Sequence, residues 1–208
     1  MRDFKIALSL STISIAVVTT VALGMIPSQA QTPSAAAAHI QTYYRELMPT
    51  IQQAGRLSVR ERDKRFGPAI TSAFDLATMT RLAVGPAWKD FSAAQRTAVQ
   101  EAFTRFIVAE YASQINDYSG ESFVVDPQTS PETRGGGEIV KTRLLQPSGR
   151  TVSINYLVRG GRVIEVYLKG TISDLATRRD EFASVIASGG ADGLIKRLQD
   201  RTQTLLGR

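Results

Sequence analysis

Few residues in this chain have the type and spacing to do chemistry. His39 is the only histidine, so a Ser-His-Asp arrangement would have to use it, and no G-x-S-x-G elbow supplies a nucleophile. Glu101 and Glu110 are candidates for paired acid–base work. Nine residues apart on one helix, they need not face a common site. Arg178-Arg179-Asp180-Glu181 reads as a surface cluster of ion pairs. There is no cysteine, which excludes disulfides, a thiolate nucleophile, Cys-bound zinc or iron–sulfur and a lipidated N-terminal Cys. Carboxylates alone would need a local cluster such as an EF-hand loop to hold a metal, and the sequence has none. The Gly135-Gly136-Gly137 loop lacks the strand–loop–helix context and the GK[ST] of a phosphate loop. The expectation is a protein that is not an enzyme and uses no cofactor or metal.

What the chain does have is apolar patterning. Its 208 residues are 43% hydrophobic and 21% charged, the composition of an ordinary globular protein of one domain. Ala35 to Ala54 reads as a helix through Ile40, Tyr43 or Tyr44, Leu47 and Ile51, with Pro49 as a kink or an end. Ser58 and Glu61 make a capping box for the next helix, which Gly67-Pro68 should interrupt. Asp75 caps a short helix over Leu76, Met79 and Leu82. Ser92 and Gln95 open the longest helical segment, whose apolar positions include Val99, Phe103, Phe106, Ile107, Tyr111, Ile115 and Tyr118. Such a stripe is either packed core or the wall of a cavity, and periodicity does not separate the two.

From Glu121 the period becomes two. Phe123 and Val125 alternate up to Pro127, which should close that strand. Ser130 to Gly137 reads as a loop. Strands follow at 139–145, 152–159 and 163–168, joined by Pro147-Ser148-Gly149 and Gly160-Gly161 turns. Ser173 or Asp174 caps a helix that Gly189-Gly190 breaks, and Asp192 starts the last one. Helices, then about four antiparallel strands, then helices define an α+β fold with helices packed on the sheet's apolar face.

The N-terminus reads as an address. Met1 to Lys5 is a charged start, 6–26 is uncharged and mostly apolar, and Pro27-Ser28-Gln29-Ala30 puts small residues at −3 and −1 of a signal-peptidase cut after Ala30. A cut within Ala35–Ala38 and an uncleaved anchor are the alternatives. Removing residues 1–30 takes two basic and one acidic residue, leaving 178 residues at net charge +5 against +6 for the whole chain. That charge favours anionic surfaces such as lipid headgroups. It does not point to nucleic acid, because Arg60-Glu61-Arg62-Asp63-Lys64-Arg65 mixes signs and reads as the solvated face of a helix.

Several segments, in order, resemble one family. Phe74 to Trp88 resembles the F-D … R-L-x-L-G-x-x-W segment of the MlaC family of periplasmic phospholipid-binding proteins, also called the toluene-tolerance family. Gln95, Phe103, Phe106 and Tyr111 match its Q-R-x-x-F-x-x-x-F and T-Y-A helix. Val152 to Arg159 resembles its V-x-V-x-Y-x-x-R strand. Arg178 to Phe182 and Gly189 to Ile195 resemble its Y-R-x-x-F … G-G-x-x-G-L-I ending. Arg162 stands where the family often has Trp, and Glu165 where Asp is usual. Thr171 to Phe182 is similar to the hopanoid-biosynthesis branch, HpnM.

The resemblance implies a soluble carrier that shuttles lipid between an outer-membrane lipoprotein complex and an inner-membrane ABC transporter with an MCE-domain component. It implies acyl tails held between sheet and helices, with phospholipid or hopanoid-related cargo, in a protein with no need to be other than a monomer. The lining expected on that basis is Val152, Ile154, Tyr156, Ile164, Val166 and Leu168 from strands, with Met79, Leu82, Phe103, Phe106, Ile107 and Tyr111 from helices. Lys141, Arg143, Arg178 and Arg179 are the expected exposed contacts for headgroup or partner. An adaptor with a packed interior and a small α+β cavity enzyme are the competing readings.

Overall fold

The computed structural model describes residues 32–207; the leader expected at residues 1–30 lies outside them. The elements run α1 (Ala35–Ile51), α2 (Val59–Ala73), α3 (Leu76–Val84), α4 (Ala93–Gln114), β1 (Ser122–Pro131), β2 (Glu138–Leu145), β3 (Thr151–Arg159), β4 (Arg162–Leu168), β5 (Ile172–Ser173) and α5 (Asp174–Leu206). Short 3-10 turns at Ala54–Arg56 and Gly85–Asp90 link helices. The strands form one antiparallel meander in the order β1-β2-β3-β4-β5. This is the expected α+β arrangement, with a two-residue fifth strand added.

Helix starts follow the capping chemistry. Ser58 with Glu61, and Ser92 with Gln95, form the two reciprocal boxes, and Asp75 accepts from the Thr78 N–H at 2.9 Å. Pro49 falls near the end of its helix as expected, whereas Pro68 and Pro127 behave differently from expectation. α1 continues through Pro49, which sits in its last turns, and α2 passes through Pro68 without a break. Pro68 and Lys64 are both exposed, a position where solvent can take the place of the helical donor that the Lys64 carbonyl loses. β1 likewise continues past Pro127 through a register shift between Val125 and Thr129. Pro needs no ladder donor at a bulge on an edge strand. The last two expected helices are both present as the two arms of α5, and they meet where expected, at a break at Gly190, whose φ of 60° and ψ of −152° suit only glycine.

α4 is the axis of the core. Val99, Phe103, Phe106, Ile107, Val108 and Ala112 are all buried, on more than one face, because α2, α3 and α5 surround the helix. The charged run on α2 is not wholly solvated as expected. Arg62 is 7% exposed and donates to the carbonyls of Ala112 at 2.7 Å, Ala54 at 2.9 Å and Leu57 at 2.5 Å. It thereby ties the end of α4 to the turn after α1, and the Ala54 carbonyl accepts from Arg62 as well as from the Leu57 N–H of that turn.

Candidate functional site

α1 crosses the inner face of the sheet, and between them lies a cavity of about 190 Å³. The helix contributes Tyr43, Tyr44, Leu47 and Ile51, whose spacing puts them on one face. The end of α4 contributes Tyr111 and Gln114, with Ile115 beyond it. Phe123, Leu144, Ile154, Tyr156, Val166 and Leu168 come from β1 to β4. The sheet residues sit in register, Thr142 opposite Ile154 opposite Leu168, and Val140 opposite Tyr156 opposite Val166. Alternation turns each row toward the helices.

Aromatic rings form one side of the cavity. Tyr43, Phe74, Tyr111 and Tyr156 meet edge to face, with centroids 5.2–6.4 Å apart. The Tyr44 hydroxyl shares hydrogen bonds with Thr142 Oγ1 at 3.0 Å and the Tyr156 hydroxyl at 2.9 Å, and the Thr142 hydroxyl donates to the Ile154 carbonyl. Burial pushes the Tyr44 phenol up to about 12, against a smaller opposing effect of its bonds to Thr142 and Tyr156. Burial also raises Tyr43, Tyr111 and Tyr156. The phenols are neutral across the physiological range, and the lining holds no carboxylate, histidine, lysine or arginine.

Two further hollows adjoin this one. A charged vestibule of about 140 Å³ shares Tyr111, Gln114, Val166 and Leu168 with the cavity and adds Glu110, Asp174, Arg178, Glu181 and Arg201. An outer groove of about 400 Å³ runs between α1 and β1 past Arg45 and Met48, and shares only Tyr44 and Phe123 with the cavity. At the vestibule edge Leu168 is 44% exposed beside its cross-strand partner Ile172 at 48%.

Of the strand positions expected to line a pocket, Ile154, Tyr156, Val166 and Leu168 do so, joined by Tyr111 from α4. Val152 is half-buried opposite Leu144 and outside the lining. Ile164 is displaced by a bulge: Leu157 pairs with Glu165 but Val158 pairs with Val163. Val163 therefore takes the inner position and meets Phe74, while Ile164 is buried away from the main core. Met79, Phe103, Phe106 and Ile107 are packed core, and Leu82 is half-buried against it. Phe103 meets Phe182 at 6.3 Å, and the guanidiniums of Arg178 and Arg201 each lie 5.4 Å from the Phe106 ring.

The cationic positions also separate. Lys141 and Arg143 are exposed and alternate with inward Val140 and Thr142, which puts them on the outer face; Arg143 lies 3.4 Å from Asp126. Arg179 is exposed but donates twice to the Leu82 carbonyl, at 2.9 and 2.8 Å. Arg178, expected to be exposed, is 7% exposed. It is held by Asp174 at 2.7 Å and Glu110 at 2.6 Å. Burial alone would lower its affinity for its proton, and those two carboxylates reverse that and raise it.

The residues that sequence reasoning left out of the site are chiefly those of α1. Tyr43, Tyr44, Leu47 and Ile51 carry a clear apolar stripe, but nothing local says which sheet face a helix covers. His39 is bound to the last carbonyl of α2, Nε2 lying 2.9 Å from Ala73 O. Among the described residues no group of His, Asp and Glu is arranged to hold a metal.

The fold and its internal cavity define an α+β protein with a hollow between sheet and helix. The sequence model of the MlaC protein family matches residues 41–200, and the chain belongs to that family. Among solved structures, a phospholipid-binding protein from Ralstonia solanacearum, in complex with a phospholipid, has the same fold. It superposes with a TM-score of 0.70 at 19% identity, over 83% of this chain and 99% of its own. No curated protein matches the sequence.

Proposed function

We propose that the chain is a periplasmic lipid carrier: residues 1–30 export it, and 31–208 form one domain that holds lipid in the cavity beneath α1. The observation that carries this reading is the cavity itself, apolar and uncharged, opening beside a charged vestibule. That order matches a molecule with a hydrocarbon end and a polar end. The Ralstonia relative, described with a bound phospholipid, supports it. A two-chain lipid of roughly 28 methylenes, at about 0.8 kcal/mol each, faces on the order of 20 kcal/mol in water, which a dry pocket offsets without covalent chemistry. With no ionisable group near neutral pH in the lining, the site is suited to holding a molecule and not to cleaving one.

At roughly 30 Å³ per methylene, the share a water takes in the liquid, about 190 Å³ accepts about six methylenes. A whole chain therefore widens the space between α1 and the sheet or extends into the hollows that adjoin it. The resemblance to HpnM makes hopanoid-related lipid a cargo beside phospholipid, passed between an outer-membrane lipoprotein complex and an inner-membrane MCE-bearing ABC transporter. Transfer of labelled lipid from donor to acceptor vesicles tests the carrier function. Transfer that rises in proportion to protein supports it; none above the spontaneous rate rejects it.

A further inference from the structure

The vestibule has a charge composition that bears on which lipid is held, given the carrier reading above. Tyr111, Gln114, Val166 and Leu168 line both spaces, so a polar end attached to a tail in the cavity reaches the vestibule past them. Toward the outer groove the cavity is bounded by the Tyr44 and Phe123 rings, stacked at 4.1 Å. The vestibule contains three carboxylates, Glu110, Asp174 and Glu181, and two guanidiniums, Arg178 and Arg201. Arg178 is spent on Asp174 and Glu110 with its side chain 9% exposed. Arg201 lies over the Phe106 ring and 3.7 Å from Glu181, a pair that is about half exposed at 43% and 54%. No guanidinium here is without a carboxylate partner, and one negative charge is in surplus. The exposed cations Lys141, Arg143 and Arg179 do not line it.

We propose that the head of the bound lipid lies in this vestibule, and that the vestibule selects a zwitterionic or uncharged, hydroxyl- or amine-bearing head over a net anionic one. An ammonium or hydroxyl group donates to the carboxylates, whereas an anionic head meets the surplus negative charge, and the one half-exposed cation, Arg201, already lies beside Glu181. Arg178 is a positioning residue here: it holds Glu110 and Asp174 at the wall.

The test uses full-length protein equilibrated with mixed vesicles of phosphatidylcholine and phosphatidylglycerol carrying identical chains, followed by extraction of the retained lipid. The zwitterionic lipid is expected in excess by about tenfold at low salt, the excess shrinking as salt rises. Glu181→Gln removes the surplus charge and releases Arg201, and should bring the two lipids to about equal retention. Glu46→Gln, an equal change of charge on the exposed side of α1, should leave the ratio where it was. Equal retention of both lipids by the unaltered protein, or an equal shift in both variants, overturns the proposal. Retention of neither lipid instead rejects the carrier reading on which it rests.

Discussion

The Tyr44 ring lies flat against Phe123, 17° from parallel with centroids 4.1 Å apart, and this stack is the wall between the inner cavity and the outer groove. Helix α1 supplies one ring and strand β1 the other, so the wall opens only if helix and sheet part or a ring turns. The Tyr44 hydroxyl, bonded to Thr142 and Tyr156 of the neighbouring strands, fixes the ring from its far end. The groove beyond is about twice as large as the cavity, 400 against 190 Å³.

Tyr44→Phe and Tyr44→Ala should therefore diverge. The first keeps the stack and loses the hydroxyl bonds, costing about 1 kcal/mol with lipid exchange little changed. The second joins cavity to groove, costs about 3–5 kcal/mol, and should speed exchange severalfold. Urea unfolding and vesicle exchange on both variants check this; identical exchange rates would show that the stack is no barrier.

A carboxylate placed on the inner face opposes acyl chains. Ile154→Asp and Val166→Asp put a charge where hydrocarbon should lie, so lipid recovered after purification should fall below a tenth of the normal amount. Circular dichroism must show the fold intact. Folded variants that retain lipid normally would remove these positions from the binding site.

Arg178→Met should destabilise the fold by about 3–5 kcal/mol, because Glu110 and Asp174, at 14% and 16% side-chain exposure, lose their common cation. Arg143→Ala, from a pair with 51% and 39% exposure on the outer face, should change stability by less than about 0.5 kcal/mol. Denaturant titration of both variants separates a buried ion triad from a surface pair.

The raised tyrosines set an alkaline limit. A phenol ionises at 10.0 in the unfolded chain, while burial pushes folded Tyr44 to about 12 and raises Tyr43, Tyr111 and Tyr156 as well. Above pH 10 the unfolded state binds fewer protons than the folded one, so stability falls as pH rises. The slope is about 1.4 kcal/mol per pH unit for each tyrosine still protonated only in the fold. Below pH 10 these groups add no pH dependence. Unfolding titrations at stepped alkaline pH, with tyrosinate absorbance followed alongside, should show the decline starting near pH 10 and one tyrosine fewer in Tyr44→Phe.

Capping chemistry and period-two alternation made the helix starts and the three central strands legible, because both signals act within a few residues. Pro68 and Pro127 misled where solvent or a bulge absorbs the missing donor, which depends on position in the fold. The α4 stripe could not distinguish core from cavity. Phe103 and Tyr111 occupy similar sequence patterns, yet α5 covers one and the space beneath α1 lies beside the other. Ile164 was misplaced because a bulge shifts the register by one, which reverses the facing of every residue beyond it. Arg178 sits in a charged tetrapeptide that looks exposed, and only the approach of Glu110 from α4, 68 residues earlier, explains its burial.

The central claim is that this chain holds a lipid between helix and sheet, and native mass spectrometry of protein taken from the periplasm tests it most directly. A mass exceeding that of the polypeptide by one lipid, confirmed by extraction and identification, is the result expected. Its value would separate phospholipid from hopanoid cargo. A bare polypeptide mass that gains nothing on exposure to vesicles would contradict the account.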